Sequence, residues 1–292
     1  MLNKKNDKEA ARLEINGIVQ GVGFRPFVYQ LAERLEIKGE VANTSQGVTI
    51  QIEGDRSKID SFLEELVQKC PPLARITEIK SYPETVIGFK DFSIVKSKPR
   101  AVRSTLIAPD TSLCSECLAE LFDPKDRRYL YPFINCTNCG PRYSIISDIP
   151  YDRPNTSMKQ FQMCKPCQNE YDDPANRRFH AQPNACDRCG PSVSLYDATG
   201  NKIESDYAIE EAARLLKNGY ILAVKGLGGF HLAADAENDK TIHTLRKRKR
   251  REEKPFALMA YNEEKIKEFA HIQPEESKLL NSFREAILVL WQ

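Results

Sequence analysis

The 292-residue chain has 41% hydrophobic and 29% charged residues and a formal net charge of +2. This composition is typical of a globular protein, and the near-neutral charge confines any nucleic-acid affinity to local patches. The length predicts two or three domains. The first ten residues lack the apolar core of a signal peptide, and no apolar run approaches about 18 residues. We therefore expect a cytoplasmic protein without membrane association.

A glycine-rich turn is the first motif with chemical content. Residues 12–19 alternate like a strand, and apolar residues between 27 and 35 recur at helical spacing. The turn between them consists of Gln20, Gly21, Val22, Gly23 and Phe24, followed by Arg25 and Pro26. Backbone N–H groups at a helix start attract anions, and Arg25 offers a planar fork for phosphate oxygens. The turn predicts a phosphate cradle, with a purely structural turn as the alternative.

The rest of this first segment predicts a ferredoxin-like fold. Strand patterns at residues 38–43 and 47–55 precede a helix pattern with Ile59, Phe62 and Leu66, and two more strand patterns follow at residues 75–80 and 91–95. The first six elements have the order βαββαβ, which is typical of helices packed on one face of an antiparallel sheet.

The turn and the next strand carry a family resemblance. The run from Gly17 through Val19 to Arg25, together with Val41-Ala42-Asn43, resembles the acylphosphatase signature. The resemblance covers about residues 10–98 and implies that Arg25 binds the substrate phosphate while Asn43 positions the attacking water. It also implies that the front segment alone hydrolyses its substrate without a covalent nucleophile.

An internal repeat defines the middle of the chain. Residues 114–144 recur at 164–194 with every shared feature displaced by fifty positions. Each copy carries two Cys-x-x-Cys pairs separated by eighteen residues. The eight cysteines are Cys114, Cys117, Cys136 and Cys139 in the first copy and Cys164, Cys167, Cys186 and Cys189 in the second.

The cysteine spacing predicts two closed, structural zinc sites with four thiolate ligands each. Each Cys-x-x-Cys pair is called a knuckle, and two knuckles share one zinc ion. The repeat favours two knuckles of the same copy at each ion. The alternative joins the first knuckle with the fourth and the second with the third. Redox-active and iron–sulfur interpretations are weaker because four duplicated knuckles exceed what either needs. We expect the paired arginines of each copy, Arg127-Arg128 and Arg177-Arg178, to brace their own Asp-Pro turns, with contact to a ligand as the alternative. We expect His180 to have a surface or packing role.

From about residue 200 helix and strand patterns alternate, which predicts an α/β layer. Strands are expected at residues 220–224, 256–260 and 286–291, and helices around Ile209 to Leu216 and Ile242 to Leu245. A glycine-rich turn beside Lys225 and a basic run from Arg246 to Arg251 lie within this pattern.

The third segment resembles the YrdC-type family, whose members form acyl-adenylates from ATP and bind nucleic acid. The resemblance rests on residues 223–236 and 245–260 and covers only the first half of such a domain. It implies nucleotide binding by Lys225, Lys249, Arg251 and Lys254, with RNA as an additional partner. Lys225 departs from the threonine-bearing loop of stand-alone members.

The order of the three segments resembles the hydrogenase-maturation carbamoyltransferases. By that resemblance the chain is a multidomain α+β protein with an acylphosphatase-like domain at residues 1–98, a duplicated zinc-finger domain at 99–198 and a partial YrdC-type domain at 199–292. The implied substrates are carbamoyl phosphate and ATP, and the acceptor is a cysteine of the partner HypE. The C-terminal transfer module is missing, so we expect a fragment incomplete for transfer.

Two other classes of function compete with this interpretation. A nucleic-acid-binding protein, for double-stranded RNA or tRNA, would use the zinc modules and the basic run. A zinc-containing chaperone or scaffold would hold a partner chain on its knuckles and would not need Arg25. Neither accounts for the phosphate cradle of the first segment.

Overall fold

A computed structural model describes residues 8–97, 105–205, 207–251, 253–282 and 288. The chain forms two compact units, Met1–Pro191 and Ser192–Gln292. Among the described residues, no helix is long and apolar enough to span a membrane. The predicted domain boundaries at 98/99 and 198/199 stay predictions, and the first lies outside the described residues.

The first part of unit one contains the predicted βαββαβ order, followed by the last strand that the pattern at residues 91–95 predicted. Its elements are β1 (Lys8–Ile18), α1 (Phe24–Arg34), β2 (Lys38–Asn43), β3 (Val48–Asp55), α2 (Arg56–Gln68), β4 (Arg75–Glu84) and β5 (Phe92–Ile94). The sheet order is β4-β1-β3-β2-β5. All pairs are antiparallel except β2 with β5, which are parallel, so the sheet departs from the predicted antiparallel pattern at this edge.

Alternation along the strands places one set of apolar side chains under the two helices. Leu13 and Ile15 of β1 are fully buried, as are Phe62 and Leu66 of α2. The intervening residues of β1 face the other side, as expected for a strand with a period of two. This core fixes the end of β1 relative to the start of α1, where the glycine-rich turn lies.

The repeat in the middle of the chain folds as two similar knuckle pairs. Each copy has one helix that starts directly after its first cysteine: α3 (Ser115–Phe122) and α4 (Lys165–Asp172). The carbonyl of that cysteine accepts the first helical hydrogen bond in both copies, from Leu118 N and Gln168 N at 2.9 Å. Three short 3₁₀ helices connect the copies: Tyr143–Ile145, Arg153–Asn155 and Ser157–Gln160.

Unit two alternates short strands and helices. Its elements are β6 (Leu195–Tyr196), β7 (Lys202–Ile203), α5 (Ala208–Lys217), β8 (Leu222–Lys225), β9 (Phe230–Ala233), α6 (Asp239–Lys249), α7 (Glu263–Lys267) and α8 (Pro274–Leu280). Strands β6 and β7 pair antiparallel, and so do β8 and β9. The glycine-rich turn after Lys225 therefore joins the two strands of a hairpin, whereas the predicted alternation had no strand between this turn and the next helix.

Two strand predictions in unit two have different outcomes. Residues 256–260 form no strand, because the described residues offer no neighbouring strand to pair with them, and Leu258 and Met259 are exposed. The predicted strand at residues 286–291 lies almost wholly outside the described residues.

Candidate active site and metal centres

The glycine-rich turn has the backbone geometry of a cradle. Gly21 and Gly23 both have φ of 73°, in the left-handed region that glycine adopts without steric cost. Gly23 is also the N-cap residue of α1, and its carbonyl accepts from Phe27 N at 3.0 Å. Gln20 holds the turn against the loop between β2 and β3 by donating from Nε2 to the carbonyls of Thr44 and Gly47, at 2.7 Å each.

Arg25 is almost completely enclosed at the start of α1. The residue is 8% exposed, and its Nη2 lies 2.8 Å from Oδ1 of Asp152, a residue of the middle segment. A guanidinium has five N–H donors, so one carboxylate contact leaves it able to bind a phosphate as well. The structure thus places Arg25 at the cradle with its charge partly balanced.

Asn43 ends strand β2 beside the turn and is fully buried. Its Nδ2 donates to the carbonyl of Tyr151 at 3.1 Å, whereas its Oδ1 has no hydrogen-bond partner among the described residues. Buried carbonyl oxygens rarely lack a donor. Oδ1 is therefore available to accept a hydrogen bond from a water molecule or a substrate.

The middle segment forms the other wall of this site. The N–H of Tyr151 donates to Gln20 Oε1 at 2.8 Å, and the buried Arg142 donates from Nε to the carbonyl of Gly21. The two terminal nitrogens of Arg142 donate to four carbonyls in and just after the Cys136–Cys139 knuckle, at 2.8 to 3.1 Å. Arg142 therefore ties the glycine-rich turn to the Cys136–Cys139 knuckle.

A cavity that is partly open to solvent lies between these walls. The sequence-predicted residues that line it are Gln20, Gly21, Gly23, Phe24, Arg25 and Asn43. Val22 instead has its side chain in the hydrophobic core. The middle segment adds residues that the sequence analysis did not select: Thr137, Arg142, Tyr151, His180 and Gln182.

His180 has a packing role at this wall, where its ring contacts those of Tyr171 and Phe179. Burial, reinforced by the nearby charge of Arg25, lowers the pKa of His180 to about 4. The imidazole is therefore neutral at physiological pH.

The eight cysteines form two separate clusters of four thiols, each cluster drawn from one copy of the repeat. Adjacent Sγ atoms are 3.6 to 3.8 Å apart. A tetrahedron with zinc–sulfur distances of about 2.3 Å has edges of about 3.8 Å, so both clusters fit a zinc ion, whereas disulfide-bonded sulfurs would be about 2 Å apart. Pairing within each copy is thus the observed arrangement, and the two sites are structural zinc centres.

The paired arginines do not brace their own turns, contrary to the sequence-based expectation. Arg127 and Arg128 of the first copy both bind Glu170 of the second, with N–O distances of 2.5 Å, and Arg127 also donates to Cys167 Sγ at 3.3 Å. Arg177 and Arg178 bind Glu120 in the same way, and Arg177 donates to Cys117 Sγ at 3.1 Å.

This reciprocal arrangement links the two copies. Burial alone would raise the pKa of Glu170, but hydrogen bonds from Arg128 and Arg127 lower it to about 2. The carboxylate is therefore ionised and satisfied inside the module. At each cluster a ligand sulfur accepts hydrogen bonds from an arginine of the opposite copy, an outer contact that orients the sulfur.

The predicted nucleotide-binding residues of unit two lie in two places. Lys225 ends β8, where its Nζ donates to the carbonyl of Gly226 at 2.8 Å. Lys249 is the last residue of α6, and Arg251 donates to the carbonyls of Lys254 and Pro255 at 3.2 and 2.7 Å. Arg251 and Lys254 therefore share one turn after α6, and their role in nucleotide binding stays a prediction.

Three family models match separate parts of the chain. The model described as acylphosphatase matches residues 11–94, the HypF finger matches residues 113–146 and 163–196, and the Sua5/YciO/YrdC-type model described as telomere recombination matches residues 214–290. Over 87 residues the chain is also 42% identical to an acylphosphatase of Thermotoga petrophila, of which it covers 96%.

Longer relatives match nearly the whole chain. A Cupriavidus necator protein named carbamoyltransferase HypF2 is 49% identical over 281 residues, which are 96% of this chain and 35% of that relative. A solved structure described as full-length HypF in the phosphate- and nucleotide-bound form has a TM-score of 0.91 at 48% identity, covering 97% of this chain and 37% of that one. Over nearly its whole length the chain is similar to HypF proteins. It spans about a third of the length of these HypF relatives, and the resemblance inferred from its motif order is confirmed.

Proposed function

We propose that this chain hydrolyses carbamoyl phosphate at the glycine-rich turn, as one step of a carbamoyl transfer. The observation that carries the proposal is the convergence of Arg25, Asn43 and the Gln20–Gly23 turn on one cavity. The HypF relatives are named carbamoyltransferases, and the front segment is similar to acylphosphatases. A carbamoyl phosphate is an acyl phosphate, so the two similarities point to the same substrate.

Different residues bind the phosphate and position the attacking water. Arg25 and the amides of the turn bind the phosphate oxygens and stabilise the charge that develops on them. Asn43 accepts a hydrogen bond from water through its unpartnered Oδ1. The water oxygen bonds to phosphorus while the bond to the bridging oxygen breaks, which releases carbamate and inorganic phosphate. The water proton passes to the phosphate, and no protein group is acylated or phosphorylated.

Unit two is proposed to use the released carbamate. Lys225, Lys249, Arg251 and Lys254 would bind ATP and the carbamoyl-adenylate, from which the carbamoyl group passes to a HypE cysteine with the help of a module outside this sequence. The similarity to the phosphate- and nucleotide-bound HypF structure supports two separate ligand sites. The cytoplasmic location and the domain division at 98/99 and 198/199 belong to the same proposal.

A nucleic-acid-binding function is not favoured. Relatives that match 96% of the chain are named as carbamoyltransferases. A chaperone or scaffold function likewise leaves the buried pair Arg25 and Asn43 without a role.

Phosphate release from carbamoyl phosphate tests the proposal, with wild type, Arg25→Ala and Asn43→Ala compared at saturating and limiting substrate. Loss of a donor to the reacting phosphate is expected to slow release about a hundredfold. Arg56→Ala is the matched control, because its guanidinium lies on the surface of the same segment with a side chain 68% exposed. Equal rates for wild type and Arg25→Ala would remove the catalytic role of this site.

A further inference from the structure

The candidate phosphatase site is completed by residues from the zinc-finger segment. Tyr151 holds both Gln20 and Asn43 through its backbone, and Asp152 forms an ion pair with Arg25. All of these contacts join residues more than 100 positions apart in the sequence. The arrangement of the site is therefore set by a two-residue stretch outside the acylphosphatase-like segment.

Asp152 is itself held firmly. Its Oδ2 accepts a hydrogen bond from the hydroxyl of Ser97. The next residue, Arg153, is anchored by donation to the carbonyls of Gln182, Asn184 and Phe161 at 2.6 to 2.9 Å. Together with the contacts of Tyr151 on the other side, these bonds fix the backbone around Asp152. The carboxylate consequently has a defined position against the guanidinium.

The contact between Asp152 and Arg25 is short and sheltered enough to orient the guanidinium. Asp152 Oδ1 meets Nη2 of Arg25 at 2.8 Å, and the two side chains are only 21% and 10% exposed. Little water surrounds the pair to screen it. An arginine side chain has several rotatable bonds, and a single carboxylate contact at one nitrogen restricts where the remaining N–H donors point. Those donors are the ones that a phosphate would meet.

We propose that Asp152 is the positioning residue for Arg25: it fixes the guanidinium so that the phosphate of the acyl phosphate meets an already oriented donor set. This inference rests on the proposed hydrolysis at the same site. Asp152 does not touch the substrate and acts only through Arg25. The zinc-finger segment is then part of the phosphatase site, and the acylphosphatase-like segment is not sufficient for full activity.

A double-mutant cycle in the full chain separates this role from a general structural one. Phosphate release from carbamoyl phosphate is measured for wild type, Asp152→Ala, Arg25→Ala and the double variant, with KM and kcat resolved for each. A misplaced catalytic group costs up to about a hundredfold, so Asp152→Ala is expected to lose about tenfold in kcat/KM. If Asp152 acts through Arg25, its removal adds no further loss in the Arg25→Ala background.

A second variant guards against loss of folding. Asp152→Asn keeps an oxygen acceptor for Nη2 and is expected to recover most of the lost kcat, with an unchanged melting temperature. Asp60→Ala is the control, since Asp60 pairs with Arg56 on the surface, where both side chains are more than half exposed. This control should match wild type.

The outcomes distinguish the two levels of the proposal. Absence of phosphate release by wild type, or no effect of Arg25→Ala, would refute the proposed function itself. If Arg25→Ala releases phosphate slowly but Asp152→Ala is as fast as wild type, only the positioning role is wrong. The same holds if the two losses in kcat/KM multiply in the double variant. Faster release by Asp152→Ala, with a lower KM, would also overturn the positioning role, because it would show that the carboxylate competes with phosphate. Asp152→Asn as slow as Asp152→Ala would also count against it.

Discussion

Removal of the Glu170 carboxylate is the sharpest perturbation of the doubled zinc module. Arg128 is 1% exposed, and its side chain has Glu170 as its only carboxylate partner among the described residues. Breaking a buried ion pair from one side costs about 3–5 kcal/mol. Arg128 retains the carbonyl of Ala185 and Oδ1 of Asn184, each at 2.9 Å, so we expect Glu170→Ala to cost about 2–3 kcal/mol of unfolding free energy.

The same change should loosen the second zinc site. Without Glu170, Arg127 loses the contact that holds its guanidinium against Cys167 Sγ. Loss of a group that hydrogen-bonds to a metal ligand lowers metal affinity about tenfold or more. Denaturant unfolding and zinc transfer to a chromogenic chelator would be measured for Glu170→Ala and for Asp172→Ala, an exposed carboxylate on the same helix.

The duplication supplies an internal check. Glu120→Ala removes the equivalent carboxylate from Arg177 and Arg178 and should produce a loss of similar size, at the first zinc site. Wild-type stability and wild-type zinc transfer in both Glu170→Ala and Glu120→Ala would refute the idea that each copy supports the zinc site of the other.

Three further predictions concern metal content, pH and the second unit. Metal analysis should give two zinc ions per chain, and Cys136→Ser should release one and destabilise the middle segment, whereas iron would contradict the assignment. The pKa of His180 is about 4 in the folded chain, below the ordinary value of about 6.5. Between these two pH values the unfolded chain binds a proton that the folded chain does not. The free energy of unfolding should therefore fall as the pH drops from about 6.5 to about 4, by up to about 3 kcal/mol. His180→Gln should flatten that slope in denaturant titrations with excess zinc, and an unchanged slope would contradict the burial argument. Replacing Lys249, Arg251 and Lys254 together with alanine should abolish ATP-dependent pyrophosphate release in the longest form of the protein, and unchanged release would exclude them from nucleotide binding.

The metal centres were the most predictable part of the molecule. All four cysteines of one zinc site lie within one copy of the repeat, and their spacing is the same in both copies. The eight ligands could therefore be assigned from the sequence. The pairing of the knuckles needed coordinates, and so did the exchange of arginine pairs between the copies. Nothing in the local pattern distinguishes an arginine that braces its own turn from one that reaches the opposite copy.

The candidate phosphate site was predictable only on one side. The turn, Arg25 and Asn43 all lie in the acylphosphatase-like segment, whereas Tyr151 and Asp152 reach them from more than 100 residues away. One sequence signal was present: Arg142 stands where the second copy of the repeat has Ser192, and the structure shows that Arg142 binds the phosphate turn. A position at which two copies differ can therefore mark a contact that only one copy makes.

The strand predictions in unit two show the limit of periodicity. Residues 256–260 have the apolar composition of a strand, but a strand also needs a hydrogen-bonded neighbour, which the described residues do not provide. The glycine turn after Lys225 was correctly located, but its second flank proved to be strand β9, which the sequence analysis had not separated from the loop.

The central claim is that the glycine-rich turn with Arg25 and Asn43 hydrolyses an acyl phosphate independently of the nucleotide chemistry. The most direct test is inorganic phosphate release from carbamoyl phosphate by this 292-residue chain with no ATP present, for wild type and Arg25→Ala. The account predicts release by wild type without ATP and about a hundredfold less by the variant. Release that requires ATP, or that is the same in both proteins, would contradict it.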